Sequence, residues 1–196
     1  MALFFRNKQG FNSKVMTISS ACLVIVLLGM PALAWAQEQH RHQPDPAECR
    51  KLTPDLKAVV TTMEGPGRKV QAQANRAEIN PLSPVLERLD VVLHPADQVS
   101  LIAAPKSEKK PEGQTFAGLL AFSVPQDGDY RVSSDTALWI DVLDGGKALE
   151  RTKLNRRMPC GRVHKSLGFS LRAGLTYWLQ LSGNQKQEVH VIITSD

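Results

Sequence analysis

The sequence lacks the short motifs that most often mark an enzyme. It contains no G-x-S-x-G, no H-E-x-x-H and no glycine-rich phosphate loop. It therefore offers no serine on a strained turn, no zinc-binding histidine pair on one helix face and no phosphate cradle. This absence disfavours catalysis. A metal-dependent enzyme stays open as an alternative, because folding could bring His94, His164 and His190 together around one metal ion.

Acidic residues are absent from the first 37 positions, and the apolar run found there is short. Three cations precede the apolar residues 21–30, and Ala34-Trp35-Ala36 follows as an A-x-A cleavage sequence. The run is well below the roughly 20 residues that span a bilayer. These features predict a cleaved signal peptide over residues 1–36, no transmembrane segment after cleavage, and a periplasmic or secreted protein.

Cysteine is scarce as well. Of the three cysteines, Cys22 lies in the apolar run, which leaves Cys49 and Cys160 for the exported chain. An isolated pair in an oxidising compartment predicts one disulfide bond. The alternative, a thiol or metal site, is disfavoured by the compartment and by the absence of a C-x-x-C motif.

The excess of positive charge is small once the first 36 residues are set aside. Three of the 24 Lys and Arg lie there, so 21 remain against 19 Asp and Glu, and the net charge falls from +5 to +2. So small a charge gives no electrostatic reason to expect a nucleic-acid ligand.

What the sequence does contain is a series of short segments in which apolar and polar residues alternate. The alternation recurs in residues 130–133, 138–143, 167–171, 177–182 and 189–193, with Gly, Asp or Asn turns between them. A period of two is typical of strands that bury one face. Residues 89–93 and 99–103 add a predicted hairpin across residues 94–97. The predicted fold class is therefore all-β: an antiparallel, jelly-roll-like β-sandwich of about nine strands.

The chain before these strands has a different pattern. Residues 52–63 show helical spacing, with Thr53 as a capping residue and Pro54 in the first turn, which predicts one short N-terminal helix. Residues 69–80 are polar and predict a linker or a marginal helix. We therefore expect three regions: the signal peptide 1–36, an N-terminal tail, helix and linker over 37–84, and a β-sandwich domain over 85–196.

A family resemblance lies in the strands. Residues 116–125 read FAGLLAFSVP and are followed by Gly128-Asp129-Tyr130, while 138–146 and 171–178 carry an Asp-Gly and an Ala-Gly turn beside apolar residues. Over residues 116–193 this succession resembles the bacterial pre-peptidase C-terminal domain. The resemblance implies a non-catalytic β-sandwich, of a kind usually appended to secreted hydrolases and linked in some members to polymer or calcium binding. The chain departs from that family because no peptidase accompanies the domain and no acidic cluster marks a calcium site.

One segment is strongly basic. Residues 151–165 contain no acid and six cations, namely Arg151, Lys153, Arg156, Arg157, Arg162 and Lys165. Such a segment attracts anions, so we expect a non-catalytic binding or structural module that contacts an anionic envelope polysaccharide, a lipid surface or a protein partner. A nucleic-acid partner is not expected, because no aromatic residue is interleaved for base stacking.

Two tryptophans could add an aromatic contact surface. Trp139 follows Leu138, and Trp178 follows Tyr177, in strands whose alternate residues are apolar. If those apolar residues point into the core, both indoles point away from it. Together they predict an exposed aromatic surface suited to stacking against a sugar ring.

The last candidate is a metal site in the N-terminal tail. His40 and His42 flank Arg41, and imidazole nitrogens bind copper or zinc. This pair predicts, as an alternative function, a periplasmic metal-binding protein. The binding module itself requires no cofactor.

Overall fold

The described part of the chain folds into two β-sheets and two short helices. The computed structural model describes residues 46–77, 81–83, 87–105, 113–156, 158 and 160–196. The helices are α1 (Pro46–Arg50) and α2 (Pro54–Glu64). The strands, in chain order, are β1 (Gly67–Gln71), β2 (Arg88–Val92), β3 (His94–Pro95), β4 (Phe116–Phe122), β5 (Gly128–Ser134), β6 (Trp139–Asp144), β7 (Lys147–Ala148), β8 (Lys153–Arg156), β9 (Lys165–Leu171), β10 (Tyr177–Asn184) and β11 (Glu188–Ser195).

These strands form two layers. The first sheet has six strands in the order β1-β2-β11-β5-β9-β8, and the second has five in the order β3-β4-β10-β6-β7. Pairing between named strands is antiparallel except between β1 and β2, which are parallel. The predicted all-β sandwich with a short N-terminal helix is therefore confirmed.

The sheets pack face to face because every second side chain along the central strands is apolar. Val132 pairs with Leu167 and Ile193 in the first sheet, and Leu179 pairs with Val142 in the second. All five are at most 1% exposed and belong to one apolar cluster. Full burial of an aliphatic side chain contributes about 1.5–3 kcal/mol, so this layer is the main source of stability.

Helix α2 covers the outer face of the first sheet. Val59 and Met63, one helical turn apart, are buried against Ile192 of β11, which alternates with core residues and so points outward. Pro54 opens the helix as predicted, since its fixed φ suits the first helical position. Thr53 occupies the N-cap position as predicted, but its hydroxyl makes no capping hydrogen bond.

A buried arginine ties α2 to the same sheet. Arg131 of β5 is 4% exposed. Its guanidinium lies 2.7 Å from the carboxylate of Asp55 in α2 and 2.9 Å from that of Asp196, and it donates to the side-chain oxygen of Asn155 at 2.8 Å. A buried charge left without any acidic partner costs about 3–5 kcal/mol. The guanidinium therefore fixes the position of the helix on the sheet.

The same network controls the acidity of Asp55. Burial raises the pKa of this carboxyl group, but hydrogen bonds with Thr53 and Asp196 and the charge of Arg131 outweigh that effect and lower the pKa to about 2. The charged form of Asp55 is thus favoured by folding.

The predicted disulfide is confirmed. Cys49 of α1 is bonded to Cys160, which lies between β8 and β9, and their Cα atoms are 5.3 Å apart. The bond joins residues separated by 111 positions. It therefore holds the N-terminal helices against the segment that leads into β9.

Two local predictions are wrong. Residues 69–71, predicted as part of a linker or marginal helix, lie in strand β1, so the first sheet includes a strand from before residue 85. Residues 99–103, predicted as a strand, form none and follow a 3-10 turn at Ala96–Gln98. They lie instead over the outer face of the second sheet. There the amide oxygen of Gln180 accepts from the N–H groups of Ile102 and Ala103 at 2.8 and 3.2 Å.

Replacing Cys49 with serine is expected to lower the free energy of unfolding by about 4 kcal/mol, because the cross-link no longer restricts a long loop of the unfolded chain. Urea unfolding followed by circular dichroism measures the loss. Cys160→Ser and the double variant should lose the same amount, since each removes the same bond. A loss below about 1 kcal/mol would contradict this expectation.

Asp55→Asn is expected to reduce stability at neutral pH by about 2 kcal/mol, the free energy that corresponds to lowering its pKa from 3.8 to about 2. Because the folded pKa lies below the unfolded one, this contribution is present above the unfolded pKa and is lost as the pH falls toward 2. Unfolding free energies measured across the acid range should show a weaker pH dependence in the variant. Asp144→Asn, at an exposed position, is the matched control and should behave like the unmodified protein.

Candidate functional site

Part of the basic segment 151–165 lies at one edge of the first sheet. Residues Lys153–Arg156 form β8, which pairs with β9 and ends the strand order of that sheet. Arg151, Lys153 and Arg156 are exposed there, whereas Arg157 lies outside the described residues. Because these three side chains are exposed, they are accessible to a ligand.

Two of the predicted cations are neutralised by acids of the same protein. Lys153 forms an ion pair with the carboxylate of Asp196. Arg162 places a guanidinium nitrogen 3.6 Å from the carboxylate of Asp135 and 3.2 Å from Nδ1 of His190. Both pairs lie on the outer face of the first sheet, which also carries α2. These two cations are therefore engaged within the fold.

Lys165 has a different environment. It is the cross-strand neighbour of Arg156. Its ammonium donates to the carbonyl oxygen of Leu138 at 2.5 Å and lies 5.4 Å from the centre of the Trp139 ring. Burial lowers the pKa of this amine, and the positive charges of Arg156 and Arg151 lower it further. The charges of both arginines thus act on one amine.

We call Arg151, Arg156, Lys165 and Trp139 the cationic patch. Among the described residues, neither Arg151 nor Arg156 forms an ion pair with an acid. The structure therefore places Arg156 directly opposite Lys165 and pairs Lys153 and Arg162 with acids instead. Long-range pairing with acids elsewhere in the chain makes this division, so no local pattern could have predicted it.

The two tryptophans differ in exposure. Trp178 is 3% exposed, so the prediction that it lies on an aromatic surface is wrong. Its side chain does point away from the layer between the sheets, but Ile102 and Ala103 pack on it and the guanidinium of Arg76 lies 5.8 Å from its ring centre. Trp139 is partly exposed, with Lys165 over its ring.

The histidines of the enzyme alternative have separate partners. His94 places Nε2 2.7 Å from the carbonyl oxygen of Ala72, whereas Nδ1 of His190 lies 2.5 Å from the carboxylate of Asp135. His164 donates its backbone N–H to Ser134. Within the described part of the chain, no group of three His, Cys, Asp or Glu residues could hold a metal ion. His40 and His42 lie outside the described residues.

Several surface grooves lie among the described residues. One, of about 550 Å³, is lined by apolar and amide side chains of residues 70–75 and 77 together with Leu82, Leu120 and Ala121. Another, of about 530 Å³, lies beside the disulfide and α2. Neither of these two grooves is lined by a residue of the cationic patch.

No family model matches the chain, and neither a curated protein nor a solved structure matches it. The resemblance to the pre-peptidase C-terminal domain therefore stays a prediction from sequence. In the part of the chain that the structure describes, no helix has both the length and the apolar character needed to cross a membrane. A functional proposal must come from the chemistry of the cationic patch.

Iodide is expected to quench the fluorescence of Trp139 strongly, because Lys165 lies over the ring, Arg156 is the cross-strand neighbour of Lys165, and positive charge concentrates anions nearby. The measurement uses the full chain with Trp35→Phe and Trp178→Phe, which leaves Trp139 as the single tryptophan. Adding Arg156→Glu should reduce the iodide quenching constant by about half or more, with quenching by neutral acrylamide unchanged.

Lys186→Glu provides the matched control for this measurement, since Lys186 is exposed in the turn between β10 and β11 and carries the same charge change. It should leave iodide quenching unaltered. Equal iodide quenching in the Arg156→Glu and Lys186→Glu proteins would show that no local excess of positive charge surrounds Trp139.

Proposed function

We propose that this protein is an exported, non-catalytic β-sandwich module that binds an anionic polymer of the cell envelope through the cationic patch. The observation that carries the proposal is the contrast within one basic segment. Lys153 and Arg162 form ion pairs with acids of the protein, whereas the exposed Arg151 and Arg156 have no acidic partner among the described residues. The guanidinium groups of Arg151 and Arg156 are therefore available to an anionic ligand.

Part of the patch is ordered before any ligand binds. The β8–β9 register places Arg156 beside Lys165, and the carbonyl oxygen of Leu138 holds the Lys165 ammonium in place. Ordering a long side chain on binding opposes association by about 0.5–1.5 kcal/mol. For Lys165 most of that ordering is already present in the folded protein, which favours binding.

A polymer suits an open, charged edge for a physical reason. An exposed ion pair contributes only about 0–1 kcal/mol in water, so a single acidic group would bind weakly. A chain with repeated acidic groups forms several such contacts at once, and each later contact benefits from the high local concentration that the first creates.

Two further features support export. The sequence predicts a signal peptide over residues 1–36, and the protein contains a Cys49–Cys160 disulfide. Disulfides persist in oxidising compartments such as the periplasm and are rare in the cytosol. An envelope polymer would be accessible from that compartment.

Titration calorimetry of the full chain with alginate, an acidic polysaccharide, tests the proposal. Affinity should fall by about tenfold or more between low salt and an ionic strength of about 0.15 M, because exposed charges are screened. The Arg151→Glu, Arg156→Glu double variant should lose binding. The control, Lys57→Glu with Lys186→Glu, changes the net charge equally at exposed positions outside the patch and should keep it. Affinity that is unaffected by both salt and the patch variant would refute the proposal.

A further inference from the structure

Strand β8 presents an unpaired edge. It is the last strand in the order of the first sheet, and among the named strands it pairs with β9 alone. In an antiparallel pair, the backbone N–H and C=O groups that do not face the partner strand point to the other side. No backbone hydrogen bond among the described residues joins that side of β8 to another segment. These groups can therefore pair with the backbone of an added strand.

Two side chains of β8 lie where an added strand would contact them. Leu154 is directly opposite Leu167 of β9, and Arg156 is directly opposite Lys165. Because residues two apart in a strand share a face, Leu154 and Arg156 lie on the same face as the core residue Leu167. Leu154 is nevertheless 46% exposed, because β8 is the last strand of the sheet. The edge thus offers one apolar and one cationic side chain, two residues apart.

The charge of β8 favours one kind of partner. Lys153 and Arg156 are exposed, and like charges in opposing positions destabilise a pair of strands. A second copy of β8 would bring the cations of both strands together. An acid opposite Arg156 would instead be attracted to a guanidinium that has no acidic partner among the described residues. Charge complementarity therefore favours an acidic strand over a second copy of this chain.

We infer that β8 is a docking edge for an extended, acidic segment of a partner protein, which joins the first sheet as an antiparallel strand. Antiparallel pairing is the more stable kind per residue. In this arrangement an acid lies opposite Arg156 and an apolar residue lies opposite Leu154. The segment therefore carries the acid two residues before the apolar residue. This surface goes beyond the polymer-binding function proposed above and does not depend on it.

Fluorescence anisotropy of a dye-labelled peptide, titrated with the full chain at low salt, tests the inference. The peptide STETVTS carries Glu two residues before Val, so both side chains share a face when it is extended. The matched peptide STEVTTS has the same composition and charge but places Glu and Val on opposite faces. STETVTS should bind at least about threefold more tightly, because only its Glu and Val can lie opposite Arg156 and Leu154 at once.

Methylation of the peptide backbone separates strand addition from charge attraction. Methyl groups on the backbone nitrogens of alternate residues leave the charge unchanged and block hydrogen bonds along one edge of the extended peptide. Two such versions of STETVTS exist, and they block opposite edges. One should bind about tenfold or more weakly than the parent peptide, because it cannot pair with β8. The other should bind about as tightly as the parent.

Substitutions in the protein test the two side-chain contacts. Arg156→Glu should weaken the binding of STETVTS by about fivefold or more and strengthen that of STKTVTS, in which Lys replaces Glu. Leu154→Ser should weaken the binding of STETVTS by about threefold. The matched controls are Lys186→Glu and Leu175→Ser, at exposed positions outside β8, and both should leave the affinity unaltered. Thermal unfolding followed by circular dichroism establishes that each variant is folded.

The results that overturn the inference differ from those that overturn the function. Equal binding of STETVTS and STEVTTS, or equal binding of the two methylated versions, would refute strand addition at β8. Dimers of the full chain in sedimentation velocity that Leu154→Arg abolishes would assign the edge to a second copy and refute the acidic partner. Each of these results is compatible with alginate binding. Loss of alginate binding alone would refute only the polymer-binding function.

Discussion

Both sheets of this sandwich carry large apolar side chains on their outer faces, and the rest of the structure depends on covering them. Ile192 of the first sheet lies under α2, and Trp178 of the second lies under residues 102–103. A buried polar side chain fixes each cover: Arg131 contacts Asp55 of α2, and Gln180 bonds to the backbone above it. Because a buried polar group without a partner costs about 1–3 kcal/mol, each cover is held in one position. The protein is thus a two-sheet core between two anchored covers.

The covers also determine where charge remains available. On the outer face of the first sheet, beside α2, cations form ion pairs with acids from distant parts of the chain. Lys153 pairs with Asp196, and Arg162 pairs with Asp135. Arg156 in β8 and Arg151 just before it have no such partner among the described residues. The candidate site is therefore a consequence of how the sandwich is covered, and it includes one residue of the edge strand β8.

The central strands could be predicted from the sequence because one face of each is buried, which imposes a period of two on residues such as those around Val132 and Val191. Strand β1 could not, since it is an edge strand and only Val70 within it is partly buried. Residues 99–103 show the alternation of apolar and polar residues that is typical of a strand, but they cover the outer face of the second sheet. Alternation alone does not distinguish a strand from such a covering segment. The alternation of side chains along the strand predicted the correct sheet face for Trp178. It could not show which residues pack on that face. Likewise the sequence shows six cations, whereas their pairing depends on contacts across the whole fold.

The position of β11 limits how fast this fold can form. Residues 188–195 supply the strand that separates β2 from β5, and they also present Ile192 to α2. Without them, β1 and β2 have no hydrogen-bonded connection to the other strands of the first sheet, and α2 loses the surface it packs on. The first sheet therefore depends on contacts between residues that are far apart in the sequence, and contacts of this kind slow the folding of β-proteins.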